Sequence, residues 1–159
     1  MVDLLVKLYN VEYPYEVLES LKEEGIIIRR PIGPEKHAVL RWVKENFSDA
    51  WASECDVSFS NSPPTCFIAV KDREIKGFAC TDATCKGFFG PTGVQVDMRG
   101  KNIGRALLLA SLEDMKNRGY AYAIIGSTSS TEYYAKCCNA QIIEDSSPGI
   151  YRGMIRTTP

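Results

Sequence analysis

The residues with the clearest capacity for chemistry lie in Val94-Gln95-Val96-Asp97-Met98-Arg99-Gly100-Lys101-Asn102-Ile103-Gly104-Arg105-Ala106, where a strand-forming run passes straight into a helix-forming one. Small residues and cations at a helix start let unpaired backbone N–H groups approach a phosphate, and the helix dipole, worth about half a charge, favours the anion. The segment is therefore a candidate phosphate cradle. It is not a nucleoside-triphosphate loop, because Gln95 stands where the first glycine is required and Asn102 follows Lys101 where Ser or Thr should. A dinucleotide-binding turn is excluded too, since no G-x-G triplet occurs here.

The cysteines are the second reactive set: Cys55, Cys66, Cys80, Cys85, Cys137 and Cys138. With His37 as the single imidazole and no C-x-x-C or Cys/His spacing, they read as reduced, mostly buried thiols, and no metal is expected. A cysteine nucleophile lacks a partner, because His37 falls on a helix exterior. Nineteen Lys and Arg against twenty Asp and Glu give a net charge of −1, which supplies no field for gathering nucleic acid or an anionic membrane. The longest apolar runs, 106–110 and 120–125, fall far below the roughly 20 residues of a membrane span. Met1-Val2-Asp3 has no signal-like flank, so a cytoplasmic location is expected.

These groups need a scaffold, and 159 residues with 45% hydrophobic content suffice for one domain. Residues 1–25 read as an accessory segment, a short strand or turn at 4–8 and a helix from Pro14 to Gly25, with the main domain at 26–159. A strand at 26–30 leads to a helix from Gly33-Pro34 to about Phe47, then to a second helix capped by Ser48 or Asp49. Strands at 66–70, 75–81 and 87–96, joined by tight turns, form an antiparallel meander. The stripe of Leu108, Leu112 and Met115 marks a helix at 102–117 that Gly119 stops. A strand at 120–126 follows, parallel to its predecessor because a helix joins them. A helix at 130–138 and strands at 141–143 and 149–155 complete a mixed sheet covered by helices.

The strand-to-helix segment resembles the acyl-CoA pyrophosphate loop of the GNAT superfamily of N-acyltransferases, Gln/Arg-x-x-Gly-x-Gly/Ala. Arg99, Gly104 and Arg105-Ala106-Leu107 match, while Asn102 stands at the first glycine, a position Asn tolerates better than other non-glycine residues. Glu132-Tyr133-Tyr134-Ala135-Lys136 is similar to the start of the superfamily's next helix, and the element order agrees over roughly residues 26 to 156. Gly87-Phe88-Phe89-Gly90-Pro91-Thr92-Gly93-Val94, Gly104 to Leu109, Tyr122 to Gly126 and Ser147 to Arg152 resemble a bacterial GNAT subgroup without a firmly assigned substrate.

The resemblance implies an α/β (α+β mixed-sheet) fold in which the meander joins a parallel strand pair splayed around the CoA arm, with helices on both faces. It implies acetyl-CoA as co-substrate and a small-molecule primary amine as acceptor, and it leaves a homodimer open. Val94 and Val96 would pair with the arm through their backbones, and Arg99, Gly100, Lys101, Asn102, Ile103, Gly104 and Arg105 would hold the pyrophosphate. Tyr134, a phenol with an ordinary pKa near 10, is expected to protonate the departing thiolate, and Tyr133 to pack. On the acceptor side Trp51 would form an aromatic wall, Glu54 and Asp56 would attract the amine, and Glu54 would take its proton, with Asp82 and Glu144 as alternative bases. An acyl-CoA-binding sensor with little turnover is the other class of function these residues allow.

Overall fold

In the computed structural model, which describes residues 1–156, alternation along the central strands sets up two cores. In β3 (Cys66–Lys71) and β4 (Glu74–Thr81) successive side chains point to opposite faces of the sheet, and both faces are covered. Cys66, Ile68, Phe78 and Cys80 enter one core, with Val39, Val43 and Cys55; Ala69 and Ala79 enter the other, with Leu107, Leu108 and Leu112. This is why these strands carry apolar residues almost continuously.

The sheet has seven strands in the order β2-β3-β4-β5-β6-β1-β7, where β1 is Val2–Lys7, β2 Ile27–Arg29, β5 Phe88–Val94, β6 Tyr122–Thr128 and β7 Gln141–Ile142. Every neighbouring pair is antiparallel except β5 and β6, which the helix α4 (Ile103–Asn117) connects as a parallel pair requires. The helices α2 (Lys36–Asn46) and α3 (Asp49–Phe59) cover one face. Ser48 caps α3 by accepting from the Trp51 N–H at 3.1 Å. The helices α1 (Tyr15–Glu23) and α4 lie on the other face, where Gly77 leaves room for Leu107. The last helix, α5, is Thr131–Cys138. The mixed sheet with helices on both faces is the architecture expected from the sequence.

Three segments depart from expectation. Residues 1–25, read as accessory, supply β1, which pairs with β6 on one side and β7 on the other. The strand expected to reach Val96 ends at Val94, and Val96–Met98 forms a 3-10 turn that tucks Met98 inward. The strand expected at 149–155 is a 3-10 turn, Gly149–Tyr151, and then irregular chain, because Gly149 and Gly153 both adopt positive φ and break the extended run. The main-domain boundary at 159 lies outside the described residues. No helix among the described residues is long and apolar enough to cross a membrane.

Candidate active site

The cradle is built by backbone geometry. Beyond β5 the Gln95 N–H still reaches the Lys76 carbonyl at 2.8 Å; after the turn, Arg99 Nε donates back to the Val94 carbonyl at 3.2 Å. Gly100 takes φ +80°, and Asn102, at φ 66° and ψ 13°, is the left-handed N-cap of α4. Asn pays less than other side chains for that conformation, so the substitution of the motif's first glycine is absorbed locally. The Ala106 N–H is bonded to the Asn102 carbonyl at 3.0 Å, and the Asn102 side chain makes no cap hydrogen bond. Among the described residues, the N–H groups of Ile103, Gly104 and Arg105 therefore lack protein acceptors, and the positive end of α4 is open.

The residues that carry these N–H groups line a cleft of about 930 Å³. Val94, Arg99, Gly100, Asn102, Ile103, Gly104 and Arg105 all line it. A Cβ on Gly104 would find its nearest neighbours at 3.5 Å, the Tyr133 hydroxyl, and 3.6 Å, a Val94 methyl, which is ordinary contact distance. Two residues expected in the cradle stand outside this lining: Lys101 is exposed, and Val96, 74% exposed, is turned to solvent by the 3-10 turn. The Val96 carbonyl is occupied by the Arg99 N–H.

The cleft runs along the end of β5, next to where the parallel pair ends. On β4, Ala79 faces Thr92 and Thr81 faces Phe89, so Gly90 and Pro91 together oppose Cys80, a bulge that turns β5 aside. Accordingly β5 and β6 pair only at Phe88–Ile124 and Phe89–Ile125. Past those rungs the strands separate, and Thr92, Gly93 and Val94 line the opening.

Tyr134 borders the same cleft from α5, 8% exposed, with its ring edge-on to Phe89 (centroids 6.3 Å) and Tyr133 (5.1 Å). Burial, aided by the neighbouring Cys138 and Cys137 thiols, pushes its phenol up to about 12, so at neutral pH it is a proton donor. Tyr133, expected only to pack, also lines the cleft with its hydroxyl beside Gly104, and burial raises its phenol as well. A tyrosine pair at a helix start gives no local signal of which ring faces a ligand.

Trp51, expected to face an acceptor, lines the cleft beside Phe47, whose ring lies 5.1 Å away. Phe47, read from the sequence as part of a buried stripe, reaches the cleft because Gly93 has no side chain to keep it out. Glu54, one turn beyond Trp51, does not line the cleft; it accepts from Thr84 Oγ1 at 2.5 Å. Tyr151 completes this corner from the far end of the chain, with its hydroxyl and Phe88 both crowding Gly126 of β6. Burial, with the Glu54 and Asp3 carboxylates, raises the Tyr151 phenol.

The other acids are elsewhere. Asp56 is 53% exposed and paired with Lys36 at 2.7 Å, because two residues of helix rotate it away from Glu54. Asp82 is buried and takes the Gly87 N–H (2.7 Å), Arg118 Nη1 (2.6 Å) and the Tyr120 hydroxyl (3.0 Å). Burial opposes its ionisation, but these three donors hold the carboxyl below its ordinary value, and it serves the fold. Glu144 and His37 are exposed. Cys55, Cys66, Cys80 and Cys138 are buried as expected, whereas Cys85 is exposed and Cys137 borders the cleft.

Comparison with known proteins agrees with this geometry. The model of the acetyltransferase (GNAT) family matches residues 36–139. No curated protein matches. Among solved structures, a GCN5-related glucosamine N-acetyltransferase region of a fungal multi-domain GH3 beta-N-acetylglucosaminidase superposes with TM-score 0.73 at 16% identity, over 89% of this chain and 19% of that one. A GCN5-related N-acetyltransferase from Sphaerobacter thermophilus gives 0.67 at 22% identity, over 89% and 48%. A GNAT acetyltransferase from Brucella melitensis in complex with acetyl-CoA gives 0.58 at 16% identity, over 74% and 86%. The chain thus spans about a fifth and about a half of the first two, and the likeness to all three is one of fold. With its loop, splayed strands and matched sequence taken together, the chain belongs to the acetyltransferase (GNAT) family.

Proposed function

We propose that the protein transfers an acetyl group from acetyl-CoA to the primary amine of a small molecule, by direct attack while both are bound. The observation that carries this reading is the row of N–H groups at Ile103, Gly104 and Arg105, at the edge of a cleft that also holds the Tyr134 ring. The open helix end, with Arg99 and Arg105, suits a pyrophosphate; the gap between β5 and β6 suits an extended thioester arm. The Brucella relative is described as a complex with acetyl-CoA, and the fungal one as a glucosamine N-acetyltransferase region, which supports both halves of the assignment by analogy.

The residues divide the work. A Lys-like amine of pKa about 10.4 is neutral in about one molecule in a few thousand at neutral pH, so a base must take its proton. Glu54 fills that role through water, since its carboxylate is turned to Thr84, and Trp51 forms the apolar wall. Asp56, tied to Lys36, adds only to the field. A β5 N–H beside the bulge polarises the thioester carbonyl. As the carbon–sulfur bond breaks, Tyr134 gives its proton to the thiolate, leaving an amide and free CoA.

The engagement of Glu54 with Thr84 favours a second reading, an acyl-CoA-binding sensor with little turnover. Thermal denaturation tests the shared part. CoA at a hundred times its Kd should stabilise the protein by about 2.7 kcal/mol, and ATP or NAD at the same concentration should not. Equal stabilisation by ATP with none from CoA would overturn both readings.

A further inference from the structure

Three thiols meet inside the wall that carries Trp51 and Glu54. Cys55 comes from α3, Cys66 begins β3, and Cys80 is the residue opposite Cys66 on β4. Their sulfurs lie within 4.8 Å of one another, and all three residues are fully buried. Val39, Val43, Ile68 and Phe78 belong to the same core. Acetyl transfer makes no use of these groups. No spacing rule reveals them, because the fold, not a local motif, brings positions 55, 66 and 80 together.

Three sulfurs suit a thiophilic ion, and the surroundings narrow the choice. Zinc in a closed site takes four ligands. Ser58 is the nearby buried hydroxyl, and it donates to the Cys55 carbonyl at 2.5 Å; the apolar shell gives a fourth-ligand water few partners. Charge narrows it further. Three thiolates around a divalent ion leave one negative charge, and around monovalent copper they leave two. The neighbouring Asp56 is exposed and paired with Lys36, and the residues packed around the sulfurs are apolar, so a net charge there would be buried without compensation, which is costly. Around a trivalent ion the complex is neutral.

We propose that Cys55, Cys66 and Cys80 form a closed trithiolate site for a trivalent thiophilic metalloid of the arsenite class. Arsenous acid exchanges its three hydroxyls for the three sulfurs: three As–O bonds break, three As–S bonds form, and the thiol protons leave with the hydroxyls as three waters. Nothing is oxidised, and no net proton is released. Because the sulfurs are sealed, entry requires α3 to open from the sheet, so binding is slow. Once occupied, the site fastens α3 at Cys55, beside Glu54 and one turn from Trp51.

The test uses the full chain carrying Cys85→Ser and Cys137→Ser, which removes the two more accessible thiols and breaks up the adjacent pair Cys137–Cys138. The protein is incubated with arsenite under a thiol-free phosphine reductant. Native mass spectrometry should show one adduct, heavier by one arsenic less three hydrogens, and X-ray absorption should find three sulfur neighbours around it. Urea below the unfolding range should speed its formation, and a weakly buffered indicator should register no proton release. Adding Cys66→Ser should weaken binding by about a hundredfold or more, as one tethered ligand is lost. Should that variant not fold, the sulfur count in the parent decides. No adduct, two sulfurs with one oxygen, unchanged affinity in a folded Cys66→Ser protein, or zinc binding more tightly than arsenite would each overturn the proposal.

Discussion

The Phe47 ring occupies the space that a side chain on Gly93 would need. Gly93 lies in β5 at the mouth of the strand opening, and Phe47 ends α2, so this contact seats the aromatic wall of Phe47 and Trp51 against the cleft. Gly93→Ala should therefore cost about 1–3 kcal/mol by overpacking, read as a lower urea midpoint. Combining it with Phe47→Leu should cost less than the two changes added, the mark of direct coupling. Strict additivity would separate the two residues.

At Gly104 the same kind of change should spare the fold and remove the ligand. A β-carbon there would meet the Tyr133 hydroxyl and a Val94 methyl only at ordinary contact distance, so Gly104→Glu should fold, but its carboxylate would then stand in front of the α4 N-terminus. Calorimetry should show loss of CoA affinity with an unaltered melting curve in the absence of CoA. Unchanged affinity in the folded variant would remove the cradle.

Asn102 carries its left-handed conformation without glycine, at φ 66°. Asn102→Gly should leave CoA affinity and stability within a few tenths of a kcal/mol, whereas Asn102→Val should cost about 1–2 kcal/mol through β-carbon strain. Thermal melts of the two variants make the comparison.

Tyr134→Phe should leave CoA binding nearly intact and lower kcat by about a hundredfold or more. The phenol also predicts a pH signature. Its pKa is about 12 in the fold against an ordinary 10.0, so the unfolded chain loses this proton first. The stabilising contribution is complete below about pH 10 and is lost as pH rises toward about 12. Removing the hydroxyl should flatten that alkaline decline in stability. A wild-type rate that falls in mildly alkaline solution would have to come from another group.

The two acids on α3 should separate in kinetics. Glu54→Gln should raise KM for the amine or move the acidic limb of the pH profile, while Asp56→Asn, which breaks an exposed pair with Lys36, should change stability by no more than about 0.5 kcal/mol and kinetics hardly at all. Identical kinetics for wild type and both variants would return the search for the base to a water chain.

What could be read in advance follows from where each signal resides. The strand-to-helix turn was legible because its signal is local: glycines, cations and a change of periodicity within a dozen residues. The meander was legible for the same reason, with turn residues between apolar runs. The segment of β1 was read as a strand or turn and not as a neighbour of β6, since that pairing joins Leu4 to Ile125 across most of the chain. The run at 149–155 misled because Ile150, Tyr151 and Ile155 suit a strand while Gly149 and Gly153 bend the backbone away from one. Tyr151 beside Gly126 and the three-cysteine cluster arise only from tertiary approach, and neither leaves a spacing to find.

The most direct test of acetyl transfer is the appearance of free CoA thiol from acetyl-CoA, measured with and without a panel of primary amines that includes amino sugars, polyamines and amino acid derivatives. At least one amine should raise thiol release well above the hydrolytic background and gain the mass of an acetyl group, and Tyr134→Phe should suppress both signals together. Stabilisation by CoA with no amine-dependent release from any member of the panel would contradict catalysis and leave the acyl-CoA sensor as the surviving reading.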